Sequence, residues 1–200
     1  MKKLIALAAA ILLSSSALFA ENAFHFGLGI PVGSYSGNDD GDFSTSAVDF
    51  YADWTRIAER GFTFNLNFAA GSGTLKPKDG NFDFDVDNFA FGAGFGYSFI
   101  HNEKMTLTLT GDLGIDILSG SKNSVDITNI EFYIGPKISF TYKIFSHFGL
   151  FANAGLYGTA GSASVTSDYI TLYGGKSTRT ESEGNSGICF RPEFGIAVPL

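Results

Sequence analysis

The sequence is poor in residue types that would stabilise or identify other classes of protein. Its 200 residues include a single cysteine, Cys189, so no disulfide can form within the chain. Lys and Arg number 13 against 20 Asp and Glu, which makes the formal net charge −7. Because nucleic-acid binding needs a basic surface, this acidic balance predicts no nucleic-acid partner.

Long apolar runs are missing after residue 20. Before it, Lys2 and Lys3 precede the apolar run Leu4–Leu13, and Ser and Ala residues lead to Ala20. This is the pattern of a secretory signal peptide, and the apolar run is too short for a stable transmembrane helix. We therefore predict a signal peptide over residues 1–20 and one exported domain over residues 21–200. Removing Lys2 and Lys3 leaves 11 basic against 20 acidic residues, a net charge of −9.

The predicted exported part alternates apolar residues with polar or small ones, the period of a β-strand. In "FAFGAGFGYSF", residues 89–99, the aromatic rings share one face, and the other face holds only Ala, Gly and Ser. Such alternation defines eight segments: residues 23–32, 48–54, 62–70, 89–99, 105–117, 130–144, 148–156 and 188–200. Between them, three connections (58–61, 101–104 and 145–147) are short enough for tight hairpins, and four (34–46, 72–86, 119–127 and 161–186) are predicted as long loops at the opposite end.

Strands of this kind fit either a soluble sandwich or barrel, or a membrane barrel with its apolar face toward lipid. The second face distinguishes them, because residues 90–98 and 106–110 place no charge on it, and glycine recurs there instead. A solvated face would carry many charges, whereas a small, tightly curved barrel needs small inward residues. We therefore predict an all-β fold, an eight-stranded antiparallel up-and-down transmembrane β-barrel.

In this pattern the chain resembles the eight-stranded outer-membrane barrels, such as the OmpA transmembrane domain, OmpX and OmpW, over residues 23–200. The resemblance implies a place in the bacterial outer membrane, contact with its lipid, and insertion by the barrel-assembly machinery with both termini in the periplasm. The last strand ends in Leu200, where the family commonly has Phe. Pro192 and Pro199 each remove one backbone donor, which predicts a bulged or shortened last strand.

The inner face of the predicted barrel carries charges of both signs. They are Asp49, Asp53, Asp112, Asp116, Glu131 and Glu193 with Lys137, Lys143 and Arg191. Because buried charges need partners, we predict an internal network of ion pairs and hydrogen bonds that fills the lumen. The alternative is a narrow polar path whose acidic excess favours cations. The glycines of residues 92–96 leave either a void or room for side chains, for which Tyr51, Tyr133, Phe151 and Tyr157 are the candidates.

Catalytic and metal sites are poorly supported by the sequence. His25 begins the first strand, and His101 and His147 fall in short turns, so all three are predicted to be solvated at the periplasmic end. Without a His at the outer rim, no nucleophile–base pair can form there, and we predict that the chain is not an enzyme. The acidic run "NDDGD", residues 38–42, lacks the residues that complete an EF-hand calcium loop, so no metal or cofactor is predicted.

Two further groups of residues complete the sequence-based predictions. Aromatic residues beside the short turns fit a girdle at the membrane interface, namely Trp54, Phe62, Phe99, Tyr142 and Phe148. The longest loop, 161–186, is predicted to contact an extracellular or envelope ligand through Tyr169, Tyr173, Lys176 and Arg179. We predict a non-catalytic outer-membrane barrel with a structural and surface-loop role. The alternative is a narrow OmpW-like channel for small or hydrophobic solutes.

Overall fold

The structure, a computed structural model, describes residues 19–37, 42–78, 83–170 and 176–200. Within these ranges the chain forms one antiparallel sheet. Its strands are β1 (Phe19–Gly29), β2 (Val32–Gly37), β3 (Phe43–Ala58), β4 (Phe62–Pro77), β5 (Phe84–His101), β6 (Met105–Lys122), β7 (Val125–Phe145), β8 (Phe148–Ile170) and β9 (Lys176–Pro199). No helix in the described ranges is long and apolar enough to cross a membrane. The predicted signal peptide lies outside these ranges except for its last two residues, which begin β1, and it stays a prediction.

The sheet closes on itself into a barrel. β1 pairs with β3 on one side and β9 on the other, and β2 pairs with the same two strands further along. β1 and β2 therefore share one of eight positions around the ring, with a break at Ile30 and Pro31. The predicted fold, an eight-stranded antiparallel barrel, is confirmed.

Pro192 lies opposite a break in the neighbouring strand and does not interrupt its own strand. β9 runs without interruption through Pro192 to Pro199, so the prediction of a bulged or shortened last strand is wrong. The carbonyl of Pro192 accepts a hydrogen bond from the amide of Ile30 at 2.9 Å. Since the N and C=O of one residue point to the same side of a strand, the missing donor of Pro192 faces the break at Ile30 and Pro31. The neighbouring strand is interrupted there, so β9 does not need to bend.

The two ends of the barrel differ in how their strands connect. At the first, called the turn end, chain reversals at residues 59–61, 102–104 and 146–147 follow the predicted short connections. At the other, called the loop end, strands occupy most of the four predicted loops, and that part of the prediction is wrong. β6 and β7 are joined there by Asn123 and Ser124 alone, both with positive φ, as a two-residue hairpin requires. The remaining loop residues, 38–41, 79–82 and 171–175, lie outside the described ranges.

Apolar side chains change sides near the loop end, which explains the wrong loop prediction. In β5, alternate residues from Phe89 to Phe99 point outward, whereas Phe84 and Val86 are buried inside and Asp85 and Asp87 are exposed. The pairing of β4 with β5 continues without irregularity across this point, so the sequence changes phase while the backbone does not. The inward apolar residues form one cluster, here called the mouth cluster: Tyr35, Phe43, Leu75, Phe84, Val86, Leu118 and Ile127.

Between the mouth cluster and the short turns, the outer face of the barrel is an apolar band. Its outward residues fall within residues 24–32, 48–54, 62–70, 89–99, 107–117, 130–144, 148–160 and 188–200, and none of them is charged. Phe62, Phe95, Phe132 and Ile134 are 65–67% exposed. Soluble monomers do not present apolar surface on this scale to water, whereas lipid tails solvate it. A closed ring with such an apolar band is the architecture of a membrane-spanning β-barrel.

Candidate functional site

The lumen is closed at the loop end by the mouth cluster. Its members are at most 9% exposed, and the rings of Tyr35 and Phe43 stack with centroids 4.7 Å apart. Burial raises the pKa of the Tyr35 hydroxyl, which therefore stays neutral within the cluster. Since these side chains come from β2 to β7, they close the lumen from several walls at once.

The centre of the lumen holds a buried ionic network around Lys137. Its Nζ lies 2.8 Å from Asp112 Oδ2 and 4.0 Å from Asp53 Oδ2, and it donates to Tyr51 Oη at 3.4 Å. The side chains of Lys137, Asp112 and Asp53 are each at most 2% exposed. A Cβ at Gly94 would overlap Asp112 Oδ1, so the glycine of the neighbouring strand provides the room that this carboxylate occupies.

A second ion pair lies nearer the mouth cluster. Arg191 Nη2 donates to Asp116 Oδ2 at 2.5 Å, and its guanidinium lies 5.4 Å from the ring centroid of Tyr133 and 5.9 Å from that of Tyr157. A Cβ at Gly92 would overlap the Tyr133 hydroxyl. Of the two alternatives for the glycine-lined wall, a tyrosine side chain therefore occupies the space at Gly92.

The other predicted inner acids have amide partners. Asn88 donates to Asp49 at 2.6 Å, Asn153 donates to Glu193 at 2.9 Å, and Asn129 donates to Glu131. The sequence-based prediction of the inner network names only charged residues and therefore omits these amides. The alternation could have identified them, because several Asn residues also occupy inward positions: Asn65, Asn67, Asn88, Asn129, Asn153 and Asn185.

Lys143 lies apart from the central network, at the turn end. Its Nζ is 2.6 Å from Glu21 Oε1, and Glu21 Oε2 is 3.0 Å from Nε2 of His101. This pair of contacts forms a charged rim around the opening of the lumen at the turn end. Eight of the nine predicted inner charges are thus buried in the lumen, and Lys143 belongs to its rim.

His25 is not solvated, contrary to the sequence-based prediction. It is 4% exposed, and its Nδ1 lies 2.6 Å from Asp53 Oδ1. Its Nε2 lies 3.1 Å from Thr141 Oγ1 on the far side of the lumen. The prediction placed His25 near the strand end correctly but missed that its position in the alternation points it inward.

The predicted interfacial aromatics lie on the outer face beside the short turns. Trp54 packs edge-on against Phe64, and the ring of Phe62 lies 6.0 Å from that of Tyr97. Phe99, Tyr142 and Phe148 are 63%, 43% and 39% exposed. Their role as a membrane girdle stays a prediction.

The residues predicted for surface contact fall on a long β8–β9 hairpin rather than a loop. Arg179 is exposed, with its guanidinium 2.5 Å from Glu181. In the hairpin Tyr169 pairs with Ser177 and Lys176 pairs with Ile170, but the side chains of Tyr169 and Lys176 lie outside the described part of the structure, as does all of Tyr173. No group of three or more His, Cys, Asp and Glu side chains within the described ranges could hold a metal ion. Residues 38–41 of the acidic run are not among them.

Comparison with solved structures returns bacterial barrels. Neisserial surface protein A is 12% identical, with 88% of this chain and 97% of that one covered and a TM-score of 0.45. The outer membrane protease OmpT from Escherichia coli is 8% identical (90% and 97% covered, TM-score 0.45). Ail, the attachment invasion locus protein of Yersinia pestis, is 10% identical (88% and 99% covered, TM-score 0.40). No protein-family model and no curated protein sequence matches the chain. At these identities the likeness concerns the fold alone.

The prediction that the chain is not an enzyme is corrected by these findings. OmpT is a protease by its description, so a similar fold does not exclude catalysis. The argument from solvated histidines also fails at His25, which is buried between a carboxylate and a hydroxyl. The predicted resemblance in fold is confirmed, since the chain is a β-barrel similar in fold to known outer-membrane barrels, and its apolar outer band supports the predicted place in the bacterial outer membrane.

Proposed function

We propose that this barrel acts through contacts of its β8–β9 hairpin with an extracellular or envelope partner, and not by conducting solutes. The observation that carries the proposal is the filled lumen. The mouth cluster closes its outer end, and the network around Lys137 occupies its centre. A solute would have to displace both an apolar plug and a buried ion pair. The outward surface beyond the membrane is then the part available for function.

The β8–β9 hairpin is the longest feature of the barrel at the loop end. Its strands have 23 and 24 residues and stay paired up to Ile170 and Lys176. Three cross-strand hydrogen bonds link hydroxyl and carboxylate groups on one face: Ser164 with Ser182 at 2.8 Å, Thr166 with Thr180 at 3.0 Å, and Thr178 with Asp168 at 2.8 Å. These groups are exposed, so the hairpin presents a row of donors and acceptors. A partner rich in hydrogen-bonding groups fits such a face.

Shortening the hairpin tests the proposal. Ala163 and Glu183 are register partners, so residues 164–182 can be replaced by Asn-Gly, which closes a two-residue hairpin. We expect the shortened barrel to fold, as shown by heat-modifiable migration on a gel, because the apolar band is unchanged. Bacteria that display it should lose adhesion to protein-coated and polysaccharide-coated surfaces. A matched control, Lys76→Ala on β4, changes an exposed charge at the same end and should adhere normally.

Adhesion that survives the shortening would contradict the proposed role. The rival function, a narrow channel, is favoured by the acidic excess in the lumen and is tested separately in planar bilayers. We expect no reproducible single-channel conductance from the intact barrel. A stable conductance step would favour the channel instead.

A further inference from the structure

We propose that the β8–β9 hairpin pairs edge to edge with the same hairpin of a second copy of this chain, held in an opposing membrane. The contact uses the β9 edge, which we define as residues 176–184 on the side of β9 that faces away from β8. The inference deepens the proposed function and rests on it, because it names the partner of the same hairpin. It adds the kind of contact, an antiparallel sheet that continues across two copies, and the register of that sheet.

The β9 edge has no strand beside it in the described part of the chain. β8 pairs with β9 from Ala197 up to Lys176, whereas β2 pairs with β9 only from Phe190 to Asn185, opposite Gly37. Among the described residues, the nine positions of β9 beyond Asn185 are therefore paired on one side only. At about 3.4 Å per residue they form an edge about 30 Å long.

The backbone groups that point away from β8 belong to the even-numbered residues of the β9 edge. The carbonyl of Pro192 accepts a hydrogen bond from Ile30 on the side opposite β8, and the β8–β9 register is regular from there to the end of the hairpin. Successive residues of a strand direct their N–H and C=O groups to alternate sides. Each even-numbered residue thus directs one donor and one acceptor outward along the β9 edge: Thr178, Thr180, Ser182 and Gly184.

The hydroxyl contacts of the hairpin agree with this direction. Thr180 and Thr166 are register partners, and their hydroxyls are 3.0 Å apart. Side chains approach most closely in pairs that exchange no backbone hydrogen bonds with each other. The N–H and C=O of Thr180 therefore point away from β8 and into the β9 edge.

Proteins usually protect a free strand edge against pairing with another chain, and the β9 edge has little protection. Common devices are proline, a β-bulge, a very short strand and charged side chains. Residues 176–184 contain no proline and show no irregularity in register, and residues 178–182 are exposed. What remains is charge, at Arg179, Glu181 and Glu183. A partner strand is repelled unless its own charges are complementary to these.

A second β9 edge supplies the complementary charges when the two strands run antiparallel with Thr180 opposite Thr180. Even-numbered residues must face even-numbered residues, because both must direct their backbone groups into the contact. In this register Arg179 of each copy faces Glu181 of the other, in a pair of the kind whose side chains lie closest. Arg179 and Glu181 are already 2.5 Å apart within one strand. Pairing therefore joins two ion pairs into a square of alternating charge.

Other registers lose this match. Centring the pairing on residue 179 places Arg179 opposite itself, and centring it on residue 181 places Glu181 opposite itself. Like charges directly opposite each other are destabilising. Centring the pairing on residue 178 or 182 leaves Arg179 opposite Ser177 or Asn185, with no ion pair between the copies. The sequence of the β9 edge thus selects one self-pairing register.

Antiparallel pairing determines which copies can meet. In every copy β9 runs from the loop end toward the turn end, so copies in one membrane all direct β9 the same way. The second copy must be inverted, as it is in the membrane of a neighbouring cell whose loop ends face the first. The β9 edge lies at the loop end beyond the apolar band, where an opposing membrane approaches. Many copies on each surface add their weak contacts and hold cells of the same kind together.

The test uses bacteria that display the full chain, labelled with one of two fluorescent proteins, and measures clumping in suspension against cells without the barrel. We expect wild-type cells to clump. Arg179→Glu and Glu181→Arg should each reduce the clumped fraction about tenfold, because like charges then face each other between the copies. Mixing the two single-variant strains should give two-coloured clumps, and the double variant should clump by itself. In both cases opposite charges face each other again.

A third variant tests the backbone contact. Thr180→Pro removes the donor at the centre of the pairing but no hydrogen bond to β8, because that N–H points away from β8, so clumping should be lost. Two matched controls reverse exposed charges elsewhere at the loop end: Lys76→Glu on β4 and Asp126→Arg on β7. Both should clump like wild type. Heat-modifiable migration confirms that each variant is folded.

The proposal is overturned if wild-type cells do not clump, if the single variants clump like wild type, or if neither the mixture nor the double variant recovers. It is also overturned if the controls lose as much as the single variants. Dimers cross-linked on cells too dilute to touch would place the partner in the same membrane and contradict the inverted pairing. If shortening the hairpin abolishes adhesion to coated surfaces while wild-type cells do not clump, the proposed function stands and only the self-pairing is refuted.

Discussion

Replacing Lys137 by Met tests whether the central ionic network stabilises the barrel. Met has a similar length but no charge, so Asp112 and Asp53 stay buried while they lose the cation at 2.8 and 4.0 Å. Removing one partner of a buried ion pair costs about 3–5 kcal/mol. Asp53 keeps His25 and Asp112 keeps Thr110 as hydrogen-bond partners. We therefore expect the lower part of that range, about 3 kcal/mol, in the free energy of unfolding.

Urea unfolding of the barrel in lipid vesicles measures this change. Trp54 is the single tryptophan of the sequence and lies on the outer face beside a short turn, so its fluorescence follows the transfer of that strand from lipid to water. The midpoint of the transition should fall for Lys137→Met while its slope is unchanged. The second substitution Asp112→Asn, made together with Lys137→Met, should restore part of the loss because it removes the uncompensated charge.

The control for charge removal as such is Lys76→Met. Lys76 Nζ lies 3.4 Å from Asp83, but the two side chains are 57% and 52% exposed, so the change should be within about 0.5 kcal/mol. If Lys137→Met costs no more than Lys76→Met, the buried network does not stabilise the fold, and the argument for a lumen closed at its centre is refuted.

Three further substitutions, one of them a control, test how the barrel is packed by the same urea assay. A Cβ at Gly96 would overlap the backbone carbonyl of Leu109, so Gly96→Ala should destabilise by about 1–3 kcal/mol. At Gly111 the nearest atom is 3.9 Å away, so Gly111→Ala should be within about 0.5 kcal/mol, and equal effects would contradict the packing argument. Leu75 is 2% exposed in the mouth cluster, so Leu75→Ala should cost about 2–5 kcal/mol without preventing insertion. An unchanged midpoint would mean that the cluster is not a core.

The lipid-facing half of the structure could be predicted from the sequence because lipid requires an uncharged, mostly apolar side chain at every outward position. Residues 89–99 show this, since each aromatic ring of the stretch points outward as the alternation indicates. The short turns could be predicted as well, because only a few residues separate the alternating segments that they join. Neither prediction needed knowledge of which strands pair.

For the lumen, the sequence predicts which residues point inward but not which of them contact each other. The alternation places Lys137, Asp112 and Asp116 inside, but it does not tell which carboxylate Lys137 meets. That depends on barrel closure and on the stagger of all eight ring positions. The contact of His25 with Thr141 joins residues 116 positions apart. A contact of this kind is therefore visible only once the register of two distant strand pairs is known.

The loop end was predicted wrongly for one physical reason, the reversal of the apolar phase. In lipid a strand places its apolar residues outside, and in water it places them inside. β5 does both within 18 residues, with the change between Val86 and Phe89, while its pairing to β4 continues. Inverted alternation thus marks where a membrane strand leaves the lipid, and it need not mean that the strand has ended.

Beyond residue 161 the β8–β9 hairpin has neither the outward apolar residues of a strand in lipid nor the inward apolar residues of the mouth cluster. Its outward face carries Ser and Thr, and its inward positions carry exposed residues such as Val165, Arg179 and Glu181 instead of a buried apolar core. Backbone pairing and the cross-strand hydroxyl bonds therefore hold its shape, without burial in lipid or in a core. A strand pair that is ordered in this way keeps both of its faces available for contact. That physical difference from the other strands is the reason to place the proposed partner contact on this hairpin.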